Sequence, residues 1–130
     1  MLVIREKQIQ HFIAQDEPAL VRVIRQIIRE ANPERVSGYS DQLLDSMIRI
    51  GIERAKSHEL ALAEDIAGFV AVMFEVAPNF DKQKDIEQIL NETAVSPNER
   101  LRLIWDRVSD EAWKEAESIY DIKVWFPDKQ

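Results

Sequence analysis

The sequence predicts an all-α fold, a compact single-domain bundle of five to seven helices with an aromatic C-terminal tail. Three observations carry that expectation. Apolar residues recur at the helical spacing i, i+3, i+4, i+7 through most of the chain. Helix-start residues stand directly before several of these runs, at Asp16, Ser40 and Ser96. The longest uncharged apolar run, "IAGFVAVMF" at 66–74, is followed by a proline at Pro78, so it reads as a buried helix with a stop after it. Residues 1–118 are assigned to the bundle and 119–130 to the tail.

The elements follow in order. A first helix is expected at 5–14 through Ile9, Phe12 and Ile13. The second, 18–31, places Leu20, Val23, Ile24, Ile27 and Ala31 on one side and Arg22, Arg25 and Arg29 on the other. Asp16 caps it and Pro18 is tolerated in its first turn. "NPER" at 32–35 interrupts it, since proline disfavours helical geometry in the preceding residue. Ser40 then caps a helix at 41–57 with Leu43, Leu44, Met47, Ile48, Ile52 and Ala55 inward. Gly51 within it is unfavourable by up to about 1 kcal/mol against alanine, a pattern that often marks a close helix crossing. The helix at 62–77 is apolar nearly all round, through Ile66, Phe69, Val70, Met73, Phe74 and Ala77, and belongs in the middle. A short helix is expected at 84–92. In "SPNE", Ser96 is the N-cap, Pro97 the first helical residue and Glu99 the partner of a capping box. The helix it opens carries Leu101, Ile104, Trp105, Val108 and Ala112. The tail "IYDIKVWFPDKQ" is read as a final strand or an extended arm.

Composition limits function. A 130-residue chain buries roughly two-thirds of its unfolded surface and needs neither metal nor disulfide to fold. There is no cysteine, which removes thiolate zinc sites, disulfides and cysteine nucleophiles. The formal charge is −7, against the basic surface that nucleic-acid binding requires. It is uneven: residues 1–35 are net +1 and residues 36–130 net −8. "MLVIREKQ" lacks the apolar core of a signal peptide, and nine apolar residues are far short of the roughly 20 that span a bilayer. The expected setting is the cytoplasm, with no nucleic acid and no membrane as partner.

Catalytic signals are sparse, and no enzyme activity, catalytic residue, metal site or cofactor is expected. His58-Glu59 starts like a zinc-protease motif, but position 62 is Leu. His11 and His58 stand far apart, which leaves no transition-metal set. The carboxylates, among them Asp65, Asp81, Asp85 and Asp110, fall on polar helix sides or in turns and read as solvated surface. No phosphate-cradling glycine loop is present. The stripe Arg22, Arg25, Arg29 reads as a solvated helix face balanced by neighbouring carboxylates, with a grip on an acidic partner as the alternative.

Two stretches stand out. In "APNFD" at 77–81, Pro78 ends a helix, Phe80 has a core role, and Asp81 caps the helix that follows. That turn is therefore read as structural. The aromatic residues Trp113, Tyr120, Trp125 and Phe126 are either docked on the bundle or offered to a partner, and they are the candidate partner-binding set.

Several segments occur in an order that resembles a known family: "MLVIR" at the start, "GIERA" at 51–55, "ED" at 64–65, "MFEVAPNFD" at 73–81 and "SPNERL" at 96–101. The family consists of small all-helical bacterial proteins whose genes often lie beside type VI secretion genes for spikes, effectors and adaptors. The resemblance covers roughly residues 1–108. Pro78, Phe80 and Asp81 match its central signature, while Ala77, Asn79 and Phe69 stand where it usually has Gly, Asp and Tyr. The resemblance implies a protein that binds another protein, an effector, toxin or spike component. An adaptor or chaperone that loads an effector is the first expectation. An immunity protein that neutralises a cognate toxin is the second, and a small helical enzyme the third.

Overall fold

The computed structural model describes residues 16–127 of the chain. The helix expected at 5–14 lies outside the described residues. The fold is all-α, and no strand occurs among the described residues. The chain divides into two compact units, one ending at Glu75 and the other beginning at Val76.

In the first unit, α1 (Glu17–Ala31), α3 (Asp41–Ser57) and α4 (Ala63–Glu75) pack against one another, with the single turn α2 (Pro33–Val36) between α1 and α3. The expected caps form. The Asp16 carboxylate accepts from the Ala19 N–H at 3.2 Å, and the Ser40 hydroxyl accepts from the Leu43 N–H at 3.1 Å. The buried stripe of α1 is Ala19, Leu20, Val21, Ile24, Ile27 and Ile28. It is turned from the expected one, so that Val23 is half-buried and Ala31 exposed. Leu44, Met47, Ile48 and Ile52 of α3 meet Ile66, Phe69, Val70 and Met73 of α4 in this core, all at most 2 % exposed.

The apolar helix ends two residues earlier than its pattern suggests, at Glu75. Residue 78 would donate to the Phe74 carbonyl in a continuing helix, and proline has no N–H to give. The Arg35 guanidinium takes that place, donating to the carbonyls of Phe74 at 3.1 Å and Glu75 at 2.5 Å. Phe74 is half-buried rather than buried, which corrects its expected core position, and Ala77 is buried beyond the helix.

Gly51 does mark a close crossing. A Cβ there would stand 3.0 Å from both methyls of Val70 and 3.3 Å from the Met73 sulfur. Gly51→Val should therefore lower stability by about 1–3 kcal/mol through overpacking, although it removes a helix glycine. A thermal melt at or above the wild-type midpoint would contradict that contact.

The arginine stripe is balanced by neighbouring carboxylates, as expected, and the partners are now specific. Arg25 pairs with Asp45 at 3.1 Å and Asp41 at 3.7 Å, and Arg29 pairs with Asp41 at 2.7 Å. Arg29 also donates to the carbonyls of Val36 and Tyr39, tying the loop before α3 to α1. The hydrogen bond from Arg29, and after it the charge of Arg25, holds the Asp41 carboxyl below its ordinary value of 3.8.

In the second unit, α5 (Lys84–Leu90) packs against α6 (Pro97–Arg107), and both α5 and α7 (Asp110–Ser118) pack against a 3-10 turn at Phe80–Lys82. A last 3-10 turn, Ile122–Val124, follows α7. The long helix expected to run from Pro97 past Ala112 is two helices. Val108 adopts an extended conformation, and the Ser109 hydroxyl accepts from the Ala112 N–H at 3.1 Å to start α7. Asp110 and Glu111 then occupy the first turn, where a carboxylate favours the helix dipole. Ser96 caps α6 as expected, accepting from the Glu99 N–H at 3.4 Å. The reciprocal half of the capping box is replaced, because the Glu99 carboxylate accepts from Arg102 at 2.9 Å. The tail is neither strand nor extended arm but the helical turn at Ile122–Val124.

Candidate functional site

The turn "APNFD" organises the second unit. Phe80 is fully buried and stacks on Trp113 with ring centroids 6.3 Å apart, and Trp113 stacks on Trp105 at 6.1 Å. Asp81 is buried in the 3-10 turn, but it is not the cap of α5, which corrects the sequence assignment. Gln83 is that cap. Its side-chain oxygen accepts from the N–H groups of Asp85 at 2.9 Å and Ile86 at 3.0 Å, and its amide donates to Glu115 on α7 at 3.2 Å. Ala77 needs no left-handed backbone, since Glu59 is the one non-glycine residue with positive φ among those described.

Asn79 makes the contact that sequence reasoning missed. A short polar side chain in a turn commonly bonds local backbone. Asn79 instead reaches across the unit, donating to the Ile119 carbonyl at 2.8 Å and accepting from the Asp121 N–H at 2.9 Å. One buried amide thus holds the backbone on either side of Tyr120.

The rest of that segment is fixed as well. The N–H of Ile119 donates to the Glu115 carbonyl, that of Tyr120 to Glu117, and that of Phe126 to Ile122. The Asp121 carboxylate accepts from the Lys123 N–H at 3.0 Å. Trp125 is buried at 3 % exposure and anchors the end of the segment.

With the backbone pinned, three large apolar side chains face outward. Ile119 is 38 %, Tyr120 50 % and Ile122 44 % exposed. Of the four aromatics expected to bind a partner, Tyr120 alone is exposed. Trp113 is half-buried in the aromatic stack, Phe126 is half-buried, and Trp125 belongs to the core. Trp125 therefore cannot serve as a surface anchor in this conformation, and its truncation acts on the fold. Ile119 and Ile122 were not among the candidates. The signal for them was present in "SIYDIKV", where apolar residues stand on both sides of Asp121 without a helical period.

Each unit also carries a surface concavity among its described residues. In the first unit a groove of about 610 Å³ is lined by Arg22, Val23, Arg25, Gln26, Arg29 and Asp41, but its inner arginines are already neutralised by Asp41 and Asp45. In the second unit a groove of about 440 Å³ runs over Ile89, Val95 and Leu103 between Asp85, Glu92 and Arg107. Arg100 lies buried near it and fixes the loop before α6, donating to the carbonyls of Val95 at 2.8 Å and Leu90 at 3.4 Å. No group of three His, Asp or Glu side chains among the described residues is placed to hold a metal ion. No helix among them is long and apolar enough to cross a membrane.

The fold and this geometry define an all-α protein that presents an apolar patch on a pinned C-terminal segment. Comparison with protein-family models, curated proteins and solved structures returns no match.

Proposed function

We propose that the chain is a non-enzymatic protein-binding accessory protein of a bacterial type VI secretion locus, an adaptor or chaperone for an effector or spike component that acts in the cytoplasm. The binding half of this reading is carried by one observation: Ile119, Tyr120 and Ile122 stand out from a backbone held by Asn79 and anchored by Trp125. A segment packed only for the core would turn such apolar groups inward. Fixing the backbone while exposing the side chains lowers the entropy lost on binding, as preorganised interfaces do. The secretion half rests on the resemblance of "MFEVAPNFD" and "SPNERL" to the family described above.

Binding is tested with a Tyr120→Ala, Ile122→Ala double variant. It should melt like the wild type and bind its partner at least about 2 kcal/mol more weakly, the scale of an interface hot spot. Partners are recovered by crosslinking in the native host and then measured with purified components. Unchanged affinity would remove the patch from the interface. The secretion role is tested by deleting the gene in a strain with an active system. Delivery of one effector should fail while the cells survive. Sibling poisoning rescued by loss of a neighbouring toxin gene would establish an immunity protein instead.

A further inference from the structure

We propose that the segment seated on Ile119, Tyr120 and Ile122 is a basic amphipathic one, with apolar side chains on the patch and lysines or arginines around it. This rests on the protein-binding reading above and specifies the chemistry of the partner.

The chain that leads into and through the patch is acidic. Between residues 110 and 123 the chain carries Asp110, Glu111, Glu115, Glu117 and Asp121 against Lys114 and Lys123. All seven side chains belong to exposed residues. None of the five carboxylates forms an ion pair with a described residue. Glu115 accepts from the neutral Gln83 amide, and Asp121 from a backbone N–H. The arginine stripe of the first unit differs, since Arg25 and Arg29 are both matched by carboxylates.

The backbone adds to the same field. The patch begins at the C-terminal end of α7, where the helix dipole is negative. A basic side chain is favourable there, yet the last turn of α7, like those of α4 and α5, has none, and it carries Glu115 and Glu117.

These charges also select among occupants. A second copy of the chain seated on the same patch would bring one acidic segment against another, and like charges across an interface are unfavourable. An acidic partner meets the same repulsion. A basic segment gains attraction to these carboxylates and hydrophobic burial at the centre, the arrangement expected of an apolar core with a polar border.

The test uses the full chain with a synthetic Lys/Leu amphipathic helical peptide and its Glu/Leu counterpart, followed by calorimetry and amide chemical-shift mapping. The Lys/Leu peptide should shift residues 111–123 and bind at least about tenfold more weakly when salt rises from about 0.05 to about 0.5 M, because exposed charges are screened. A Glu111→Lys, Glu117→Lys variant should lose about tenfold in affinity at low salt and keep the wild-type melt. Tyr120→Ala should weaken binding at both salt concentrations. Four results would overturn the proposal: equal binding of the Glu/Leu peptide, salt-independent binding, shifts confined to another surface, or a concentration-dependent dimer abolished by Tyr120→Ala. With the partner recovered from the host, the two readings separate. Binding that needs Tyr120 and Ile122 but ignores charge reversal overturns the basic partner alone. Binding that ignores Tyr120 and Ile122 overturns the patch itself.

Discussion

Phe80→Ala should lower the stability of the protein by about 3–5 kcal/mol, the range for truncating a large buried aromatic. Phe80 is fully buried and sits in the short turn that both α5 and α7 pack against. Its ring begins the stack that continues through Trp113 to Trp105. Removing it leaves a cavity and also removes one partner of an aromatic pair, worth about 0.5–1.5 kcal/mol beyond the area it buries. Total stabilities of small domains lie near 5–15 kcal/mol, so this one change consumes a large share. Urea denaturation measures the loss directly. Near-UV circular dichroism should weaken in parallel, because two of the three tryptophans lie in the stack. Phe80→Leu, which keeps most of the volume, should lose much less. A Phe80→Ala variant that denatures at the wild-type urea concentration would show that the turn is not the hub of its unit.

The helices of the first unit were legible because their signals are local. Ser40 and the spacing of Leu44, Met47, Ile48 and Ile52 place α3 at the bounds it occupies. Gly51 announced a crossing that is present against Val70. The break after Arg107 was missed because Leu101, Ile104 and Ala112 keep a helical period across it, while the competing start at Ser109 is a single hydroxyl. The end of α4 shows a different limit. Pro78 was visible, but the Arg35 side chain that satisfies the freed carbonyls comes from about forty residues earlier, and no local pattern encodes it. The candidate site divides in the same way. Tyr120 was found by residue type. Trp125 was misplaced because an aromatic after the last periodic segment looks the same whether it docks or protrudes. Ile119 and Ile122 are ordinary core residues by type, and only the backbone fixed by Asn79 makes them surface.

Asn79→Leu should affect stability and binding together, and so tests the link between the turn and the patch. The Asn79 amide supplies one donor and one acceptor to backbone groups about forty residues away, those of Ile119 and Asp121. Leucine keeps the number and branching of the side-chain heavy atoms but can make neither bond. The Ile119 carbonyl and the Asp121 N–H would then lose their partner on the buried side, and each such loss is unfavourable by about 1–3 kcal/mol. Water can reach part of this exposed segment, so the expected total is about 2–4 kcal/mol. Asn79→Asp should fall between, since a carboxylate still accepts from the Asp121 N–H but no longer donates to the Ile119 carbonyl. The decisive measurement is hydrogen exchange. The amides of Ile119, Tyr120 and Asp121 should lose protection in the leucine variant while those of α5 and α6 retain it, which is local opening rather than global unfolding. Partner affinity should fall in step with that protection, because a patch released from its fixed backbone must be ordered again on binding. If the amides open and the affinity stays at the wild-type value, the patch binds without preorganisation and Asn79 serves the fold alone.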